Sequence, residues 1–423
     1  MAQKQLIIRA KTCGQKPVKR SHPAAAGVIA AMTETLLLPV LNAPVAPVQL
    51  GLFDASVPAN AANLPAPAGA NAPRTHGAKL WLPKRVLFTP DALDEEFGQQ
   101  ILRRVTDLDL EVELLKSNRL TGLRDAGGDV RATYRTAKST LAVVKAPPGA
   151  LHLQATPPSA DWQINLAEGC PAHCQYCYLA GSLSGPPVVR VFANLPSLLQ
   201  NTQTYEQAGR VTSFEASCYT DVLGIEHLTG SLAEAVRYFG QREAAQLRFV
   251  SKYDHVDGLL GAPHQGRTRA RFSLNAEPVV RQLEGGTASV EARIQALRKL
   301  ALPVAQGGGG YPVGVVLAPI MPIPDWQQHY GELLDRIQLA LDFKCDLSVE
   351  LISHRFTPGS KDVLLQWYPN TKLDFDETTR AVKRNKFGGI KFVYLPDEMK
   401  AMRAWFTREW QRRFPHAPVQ YWT

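Results

Sequence analysis

The sequence predicts an α/β fold whose centre is a (β/α) barrel of the TIM type, either complete or partial. The first observation behind this prediction is that apolar runs of strand length alternate with longer stretches of helical periodicity from about residue 160 onward. The second is that single strands and single helices follow one another, which favours parallel strands joined by right-handed crossovers. The third is a change of composition near Lys79, which separates an Ala- and Pro-rich extension from globular sequence.

The extension, residues 1–78, is expected to be disordered. Residues 21–73 contain only two charged side chains and are dominated by Ala, Pro, Asn and small apolar residues. Such a segment buries too little apolar surface to offset the entropy lost on ordering. One motif in it resembles the peptide that binds the bacterial sliding clamp; the alternative is a chance apolar patch or a short strand that docks on the body. The motif consists of Gln49, Leu50, Leu52 and Phe53.

Composition narrows the class of protein. A hydrophobic content of 45% supports a sizeable core, and a net charge of +9 is compatible with an acidic polymer as partner. Six cysteines, three of them in one motif, favour a reducing, cytoplasmic location. The apolar run 27–41 is too short to span a bilayer and is interrupted by Glu34 and Pro39, so no membrane partner is expected.

Residues 79–155 are predicted to form an α/β preface to the main domain. Thr89 precedes Pro90 and Asp91, the order expected at a helix start, because proline suits the first helical position. The predicted order is a strand region at 80–88, a helix at 91–104, a strand within 107–116 and a loop at 119–128.

Residues 156–355 are predicted to hold the barrel. Its first strand ends near Ile164 and opens into a cysteine-rich loop, as barrel strands open onto the active face at their C-terminal ends. Gly307–Gly310 lacks a following Gly-Lys-Ser/Thr, so it is a loop before a strand and not a phosphate cradle. Further predicted strands are 213–217, 247–251, 269–274, 313–319 and 347–352, and the helices between them include 231–242, 290–300 and 326–343.

Three cysteines with C-x3-C-x2-C spacing, Cys170, Cys174 and Cys177, offer three thiolates from one short loop. Cysteine ligation of only three irons of a [4Fe–4S] cluster leaves the fourth iron open to another ligand. The motif resembles that of the radical S-adenosylmethionine enzymes, which implies that the cofactor chelates the open iron and that Tyr176 lies against its adenine. The alternatives are a tetrahedral zinc site that adds His173, and thiols with no ligand role.

Several separated blocks further along the chain resemble the spore photoproduct lyase family, from about residue 81 to Thr423. The resemblance implies the partial (β/α) TIM-type barrel of radical S-adenosylmethionine enzymes. It also implies DNA repair, in which a 5′-deoxyadenosyl radical starts the splitting of spore photoproduct, a methylene-linked thymine dimer, into two thymines. The blocks are Ser213–Asp221, Gly224–Thr229, Arg248–Lys252, Thr268–Asn275 and Leu351–Thr357.

The resemblance makes Cys218 the hydrogen-atom donor that quenches the thymine radical, with Tyr176 and Tyr178 as catalytic and cofactor-binding tyrosines. A thiol suits this role because its S–H bond is weak, and phenols can carry a radical onward. The alternative for Cys218 is a small buried apolar side chain, which is the common fate of a lone cysteine.

Lys252, Ser273 and Asn275 match family positions that hold the polar end of the cofactor. Strand alternation agrees independently, because Ser273 and Asn275 fall on a polar face and their neighbours on an apolar one. A barrel interior that holds a charged ligand fits this pattern, and a strand edge facing water is the alternative. The polar face comprises Arg267, Arg269, Arg271, Ser273 and Asn275.

The C-terminal region, residues 356–423, is predicted to be a small α/β unit that contacts DNA. Residues 371–423 hold eleven Lys and Arg against six Asp and Glu, and basic side chains neutralise phosphates. The proposed DNA contacts are Arg384, Lys386 and Phe387. This chain has Lys386 and Phe387 where the family has arginine and tyrosine, a departure that bears on lesion recognition.

The predicted partners are DNA carrying a thymine photolesion, an external one-electron donor of the flavodoxin or ferredoxin type, and the sliding clamp. Two other functions fit the residues. One is a radical S-adenosylmethionine enzyme that acts on another DNA lesion or nucleobase. The other is a non-catalytic iron–sulfur or zinc protein that binds nucleic acid, which would not cleave the cofactor on reduction.

Overall fold

The computed structural model describes residues 79–177, 179–182, 185–384 and 389–423. The predicted disordered extension therefore lies outside the described residues, and so does the clamp-binding motif within it. Two single predictions fall outside them as well, namely the role of Tyr178 and the DNA contacts of Lys386 and Phe387.

Seventeen strands run through the described part of the chain, and several coincide with predicted ones to within two residues. In chain order they are β1 Arg85–Phe88, β2 Val112–Leu114, β3 Thr140–Val144, β4 Gln154–Thr156, β5 Ala160–Ile164, β6 Ala167–Glu168, β7 His173–Cys174, β8 Val189–Phe192, β9 Thr212–Ala216, β10 Ala245–Ser251, β11 Thr268–Leu274, β12 Glu284–Gly285, β13 Val313–Ile320, β14 Leu347–Ser353, β15 Ala381–Arg384, β16 Ile390–Val393 and β17 Val419–Trp422.

Eleven α-helices connect these strands in the described part of the chain. They are α1 Pro90–Leu93, α2 Glu96–Asp107, α3 Val130–Lys138, α4 Leu195–Asn201, α5 Glu226–Thr229, α6 Ser231–Gly240, α7 Glu277–Leu283, α8 Val290–Ala301, α9 Trp326–Ala340, α10 Pro358–Trp367 and α11 Pro396–Arg413. The helices predicted at 231–242, 290–300 and 326–343 are confirmed as α6, α8 and α9.

The main sheet has eight strands in the order β17-β14-β13-β11-β10-β9-β5-β4. All neighbours pair in parallel except β4 and β5, which form an antiparallel hairpin. The two edge strands, β4 and β17, do not pair with each other in the described part of the chain. The predicted partial barrel is therefore confirmed as a curled half-barrel.

Alternation along the central strands separates an apolar outer face from a polar inner one. On β9, β10 and β11 the aromatic residues Phe214, Phe249 and Phe272 are fully buried beneath the surrounding helices. Their neighbours Glu215 and Arg271 are also buried, but they meet each other inside the half-barrel. Truncating one such phenylalanine to alanine typically costs about 3–5 kcal/mol, so this layer contributes strongly to the stability of the half-barrel.

A second sheet stands beside the half-barrel, with five strands in the order β2-β1-β3-β8-β6. Its strands come from both sides of residue 156, where the barrel is predicted to begin. Strands β1, β2 and β3 precede this residue, whereas β6 and β8 follow it. Strand β6 leads directly into the cysteine loop, and helix α3 precedes the central strand β3. This sheet thus carries both the entry to the cysteine loop and a helix close to it. The predicted domain boundaries stay predictions.

The C-terminal residues divide between two places. Strands β15 and β16 form a separate antiparallel hairpin, whereas β17 joins the main sheet as the neighbour of β14. Residues Trp405 and Phe406 of α11 pack against Trp326 at the start of α9. No helix among the described residues is long and apolar enough to cross a membrane.

Candidate active site

The cysteine loop begins at a sharp turn after β6. Gly169 has a φ of +75°, and a Cβ there would lie 2.1 Å from the carbonyl oxygen of Val188. Only glycine fits this position, because the backbone is left-handed and has no room for a side chain. The turn carries the chain from β6 directly into Cys170.

Two contacts fasten the loop to the rim of the half-barrel. Strand β7 pairs with β12, so that Cys174 lies opposite Glu284. The next residue, Gln175, donates its backbone N–H to the carbonyl oxygen of Leu283 at 2.8 Å. The three motif cysteines, all half-buried, are thereby held at one end of the half-barrel.

The environment of the thiols fits a metal cluster. Burial raises the pKa of Cys170 to about 11, an effect that the nearby Lys138 ammonium opposes. Burial also raises the pKa of Cys174 and Cys177, so these thiols need a metal charge before they become thiolates. The hydroxyl of Tyr253 is buried without a hydrogen-bond partner among the described residues, and burial, followed by the charge of Cys170, raises its pKa.

A single zinc ion fits less well. Among the described residues, no three His, Cys, Asp or Glu side chains form a group that could hold one metal ion. The fourth ligand of the zinc interpretation, His173, is hydrogen-bonded at Nδ1 to the hydroxyl of Tyr134 at 2.8 Å, which leaves Nε2 as the ring nitrogen that could bind a metal. Three soft thiols from one loop match the donor set of a [4Fe–4S] cluster whose fourth iron is open.

Next to the loop lies a group of polar residues that we call the upper polar layer. Lys252 Nζ donates to Ser273 Oγ at 2.5 Å and lies 4.0 Å from a carboxylate oxygen of Glu284. Arg293 pairs with the same carboxylate at 2.5 Å, and the Tyr176 hydroxyl donates to it as well. Burial would raise the pKa of Glu284, but the Arg293 and Lys252 cations bring it below its usual value. The layer comprises Tyr176, Lys252, Ser273, Glu284 and Arg293.

Two of these residues, Glu284 and Arg293, carry no sequence prediction. A signal existed for Arg293, because it lies on the apolar face of α8 between Val290 and Leu297, where a charged side chain needs a buried partner. Glu284 offered no such signal, since it stands in a short strand that only the tertiary pairing with β7 creates.

Asn275 stands at the end of β11 and is fully buried. Its amide nitrogen donates to the carbonyl oxygen of Pro319 at 2.7 Å, and its amide oxygen accepts from the Tyr330 hydroxyl at 2.6 Å. These bonds hold the end of β11 against β13. The predicted contact of Asn275 with the cofactor stays a prediction.

Cys218 follows β9, which lies two strands from β11 in the main sheet. The residue before it, Ser217, has a φ of +56°, and its hydroxyl accepts the backbone N–H of Leu166 at 2.8 Å. The Cys218 sulfur lies 3.9 Å from the Thr156 hydroxyl. Burial, followed by the charge of Glu215, raises the pKa of Cys218 to about 11. The thiol therefore keeps its hydrogen at neutral pH.

Deeper inside the half-barrel is a second group, the lower polar layer. Arg271 bridges the carboxylates of Glu215 and Glu350, the latter at 2.8 Å. Arg248 also pairs with Glu350, and the Tyr421 hydroxyl donates to it at 2.6 Å. The layer comprises Glu215, Arg248, Arg271, Glu350 and Tyr421. The residues on the polar face of β11 therefore belong to different groups. Arg271 pairs with carboxylates of neighbouring strands in the lower polar layer, whereas Ser273 contacts Lys252 in the upper one.

Helix α3 touches the cysteine loop from outside the half-barrel. Lys138 Nζ donates to the carbonyl oxygens of Cys170 and Ala172, and the Tyr134 hydroxyl meets both His173 and Tyr368. Neither Lys138 nor Tyr134 has a sequence prediction. The available signal was a lysine at the buried end of an otherwise polar helix, next to Ala137.

The predicted DNA contact Arg384 is exposed and ends strand β15, opposite Ile390 in the hairpin. The hairpin is tied to the body through Phe392, whose backbone exchanges hydrogen bonds with Phe356 at 2.8 and 3.2 Å. Arg384 is thus carried at the far end of an anchored ribbon.

Comparison with known proteins identifies the family of the chain. Residues 81–423 match the family model described as spore photoproduct lyase. The spore photoproduct lyase of Geobacillus sp. (strain Y412MC61) is 42% identical over 351 residues, which cover 82% of this chain and 100% of that protein. The spore photoproduct lyase of Bacillus subtilis (strain 168) is 37% identical over 348 residues, with coverages of 81% and 99%.

Solved structures agree with these relatives. A spore photoproduct lyase complexed with dinucleoside spore photoproduct gives a TM-score of 0.76 at 40% identity, and the match covers 82% of this chain and 100% of that one. A double mutant of spore photoproduct lyase with bound AdoMet and dinucleoside spore photoproduct gives the same values. The chain therefore belongs to the spore photoproduct lyase family of DNA-repair lyases, which are radical S-adenosylmethionine enzymes with a [4Fe–4S] cluster.

Proposed function

We propose that this chain splits spore photoproduct in DNA back to two thymines. The observation that carries the proposal is the solved relative that binds AdoMet and dinucleoside spore photoproduct together, since this chain covers all of it at 40% identity. The three motif cysteines at one end of the half-barrel and the thiol of Cys218, which follows the main-sheet strand β9, support the same reaction.

The residues divide into those that hold the cofactor and those that act on the lesion. Cys170, Cys174 and Cys177 would ligate the cluster, which together with bound S-adenosylmethionine supplies a 5′-deoxyadenosyl radical. Lys252 and Ser273 would bind the polar end of the cofactor, because they offer a cation and a hydroxyl 2.5 Å apart. Asn275 would fix the end of the strand that carries Ser273.

Cys218 would end the reaction on the substrate. Its hydrogen atom passes to the allylic thymine radical, the thymine becomes closed-shell, and a thiyl remains on the sulfur. A phenol hydrogen atom of Tyr178 or Tyr176 then restores the thiol and leaves a tyrosyl radical, which takes a hydrogen atom from 5′-deoxyadenosine. The tyrosines are thereby part of the route by which the cofactor is regenerated. A pKa of about 11 suits this role, because a thiolate has no hydrogen atom to give.

The test is anaerobic incubation of the reconstituted protein with dithionite, S-adenosylmethionine and a dinucleotide spore photoproduct. Thymine and 5′-deoxyadenosine are expected as products. A Cys218→Ala variant should still consume cofactor but release thymine poorly or form adducts, whereas a Cys345→Ala control should behave as the parent. Clean repair by Cys218→Ala would remove Cys218 from this role, and no cofactor cleavage by a protein with full iron content would reject the proposed reaction.

We infer that the hairpin β15–β16 contacts the DNA through Arg384, and that Lys386 and Phe387 also contact the DNA. Arg384→Ala and Lys386→Ala should each weaken binding to any duplex and reduce the salt dependence by about one counterion. Phe387→Ala should instead weaken discrimination between damaged and undamaged duplex, because an aromatic side chain can replace a base turned out of the stack. Arg408→Ala, an exposed change on α11, is the control. Equal effects of Arg408→Ala and Arg384→Ala would argue against the hairpin.

We also propose that a small acidic electron carrier of the flavodoxin or ferredoxin type reduces the cluster in the cell. Replacing dithionite by such a carrier with its reductase should sustain several turnovers. Failure of such a carrier to sustain turnover by a protein that is active with dithionite would contradict this proposal without affecting the lyase reaction.

The last proposed partner is the sliding clamp, through Gln49, Leu50, Leu52 and Phe53. A double change of Leu52 and Phe53 to alanine should abolish co-purification with the clamp, whereas Leu64→Ala in the same extension should not. If the parent chain itself fails to bind the clamp, the motif has no such role.

A further inference from the structure

Helix α3 forms hydrogen bonds to three residues of the cysteine loop, Cys170, Ala172 and His173. Tyr134 and Lys138 are four residues apart, so they project from the same face of the helix. Lys138 donates to the carbonyl oxygens of Cys170 and Ala172, and Tyr134 binds the side chain of His173. The segment between the first two cluster cysteines is therefore held by one helix face that does not belong to the half-barrel.

Lys138 is an unusual side chain for this position. It is only 7% exposed, although lysine is seldom buried without a charged partner. Its hydrogen bonds go to two neutral carbonyls, and among the described residues it forms no ion pair with a carboxylate. On the other side of the loop Lys252 lies 4.0 Å from Glu284, which itself pairs with Arg293. The carboxylate of Asp221 also acts on the Cys170 thiol, but it accepts hydrogen bonds from Ser251 and from the backbone N–H of Lys252. Lys138 therefore places a positive charge at the loop without an ion-pair partner in the described part of the chain.

We propose that Lys138 is a tuning residue whose ammonium charge raises the reduction potential of the cluster held by Cys170, Cys174 and Cys177. The proposal rests on the proposed function, because it requires a cluster at these cysteines. Tyr134 is the companion positioning residue, which keeps His173 and hence the loop against α3.

The physical reason is the charge change on reduction. One-electron reduction adds a negative charge to a site that already carries three thiolates. A buried cation stabilises the more negative state, and it does so more strongly in a protein interior than in water. Removing this charge should therefore make the cluster harder to reduce.

The test is a redox titration of the reconstituted protein, followed by the electron paramagnetic resonance signal of the reduced cluster. Three variants separate charge from hydrogen bonding: Lys138→Arg keeps both, Lys138→Gln keeps a donor without the charge, and Lys138→Met removes both. We expect a potential near that of the parent for Lys138→Arg and a shift to more negative potential for Lys138→Gln and Lys138→Met. Tyr134→Phe should change the potential less than Lys138→Gln.

Iron content and far-UV circular dichroism are measured in parallel, so that loss of the cluster is not mistaken for a shift. Iron lost from Lys138→Gln but kept by Lys138→Arg would also support a requirement for charge. Equal potentials in all variants with full iron, or iron lost equally from Lys138→Arg and Lys138→Gln, would overturn the proposal. The titration needs no lesion, so its outcome is independent of whether spore photoproduct is the substrate.

Discussion

The upper and lower polar layers share strand β11, yet only the lower one balances its own charge. Strand β11 contributes to both, through Ser273 above and Arg271 two residues below. In the lower layer, two arginines face two carboxylates and a tyrosine donates to one of them. In the upper layer, Arg293 already neutralises Glu284, and Lys252 stands 4.0 Å from that carboxylate.

The difference teaches how one strand face serves two purposes. Buried ion pairs whose charges balance hold the strands together, whereas Lys252 shares the Glu284 carboxylate with Arg293 and leaves the upper layer with one excess positive charge. Arg271 fastens β9 and β14 to β11, while Lys252 is directed to the opening beside Tyr176, 5.7 Å from the centre of its ring. We propose that charge balance, and not alternation, separates the structural end of the face from the end that binds the cofactor.

The strongest test of this comparison is Arg271→Met. Removing the arginine leaves two buried carboxylates short of a partner, so the free energy of unfolding should fall by about 3–5 kcal/mol. Urea denaturation followed by circular dichroism measures it. The matched control is Arg269→Met on the same strand face, because Arg269 pairs with Asp346, whose side chain is 62% exposed. That change should cost below about 1 kcal/mol. Similar losses in both variants would show that the lower layer has no special structural role.

The upper layer should respond in the opposite way. Lys252→Met should lower the free energy of unfolding by only about 1 kcal/mol, because Glu284 keeps Arg293. The dissociation constant of S-adenosylmethionine should rise by about 10-fold to 100-fold, because this is the usual effect of losing a hydrogen bond to a charged group. Equilibrium dialysis with labelled cofactor measures this change, and the exposed Lys299→Met variant is the control. Unaltered cofactor binding in Lys252→Met would place the binding end of the face elsewhere.

The smallest expected effect links the lower layer to the thiol. Alkylation of Cys218 by iodoacetamide, followed at the peptide level by mass spectrometry, should show a midpoint near pH 11. The carboxylate of Glu215 contributes to this raised pKa after burial, so Glu215→Gln should move the midpoint to lower pH. Tyr421→Phe, which alters the layer farther from the thiol, is the control. An unchanged midpoint in Glu215→Gln would mean that burial alone sets the pKa of Cys218.

Much of the fold could be predicted because it depends on local pattern. The strand expected at 269–274 is Thr268–Leu274, and the helix expected at 290–300 is Val290–Ala301. Apolar periodicity marks such elements wherever one face meets the core. The placement of β6 and β8 in the sheet of the N-terminal preface could not be predicted, because it depends on pairing between distant strands.

Residues of the candidate site could be predicted where they lie in one short motif or in one block of sequence that resembles the family. The cysteine loop lies within eight residues of sequence, Cys170–Cys177, and Cys218 stands in a single block. The hydrogen bonds of Tyr134 in α3, in contrast, connect residues that are far apart in sequence. They reach His173 in the loop across 39 residues and Tyr368 across 234 residues. No local pattern carries such contacts, and a buried lysine looks in sequence like any lysine near a helix end.

The left-handed backbone of Ser217 has a consequence for the speed of hydrogen transfer. A non-glycine residue in this conformation costs on the order of 1–3 kcal/mol, and here the surrounding hydrogen bonds to Ile164 and Leu166 maintain it. The direction of the neighbouring thiol is therefore fixed when the chain folds and not when the lesion arrives. In the reaction that we propose, a short-lived carbon radical would meet a donor whose backbone needs no rearrangement, which would favour quenching by sulfur over side reactions with solvent.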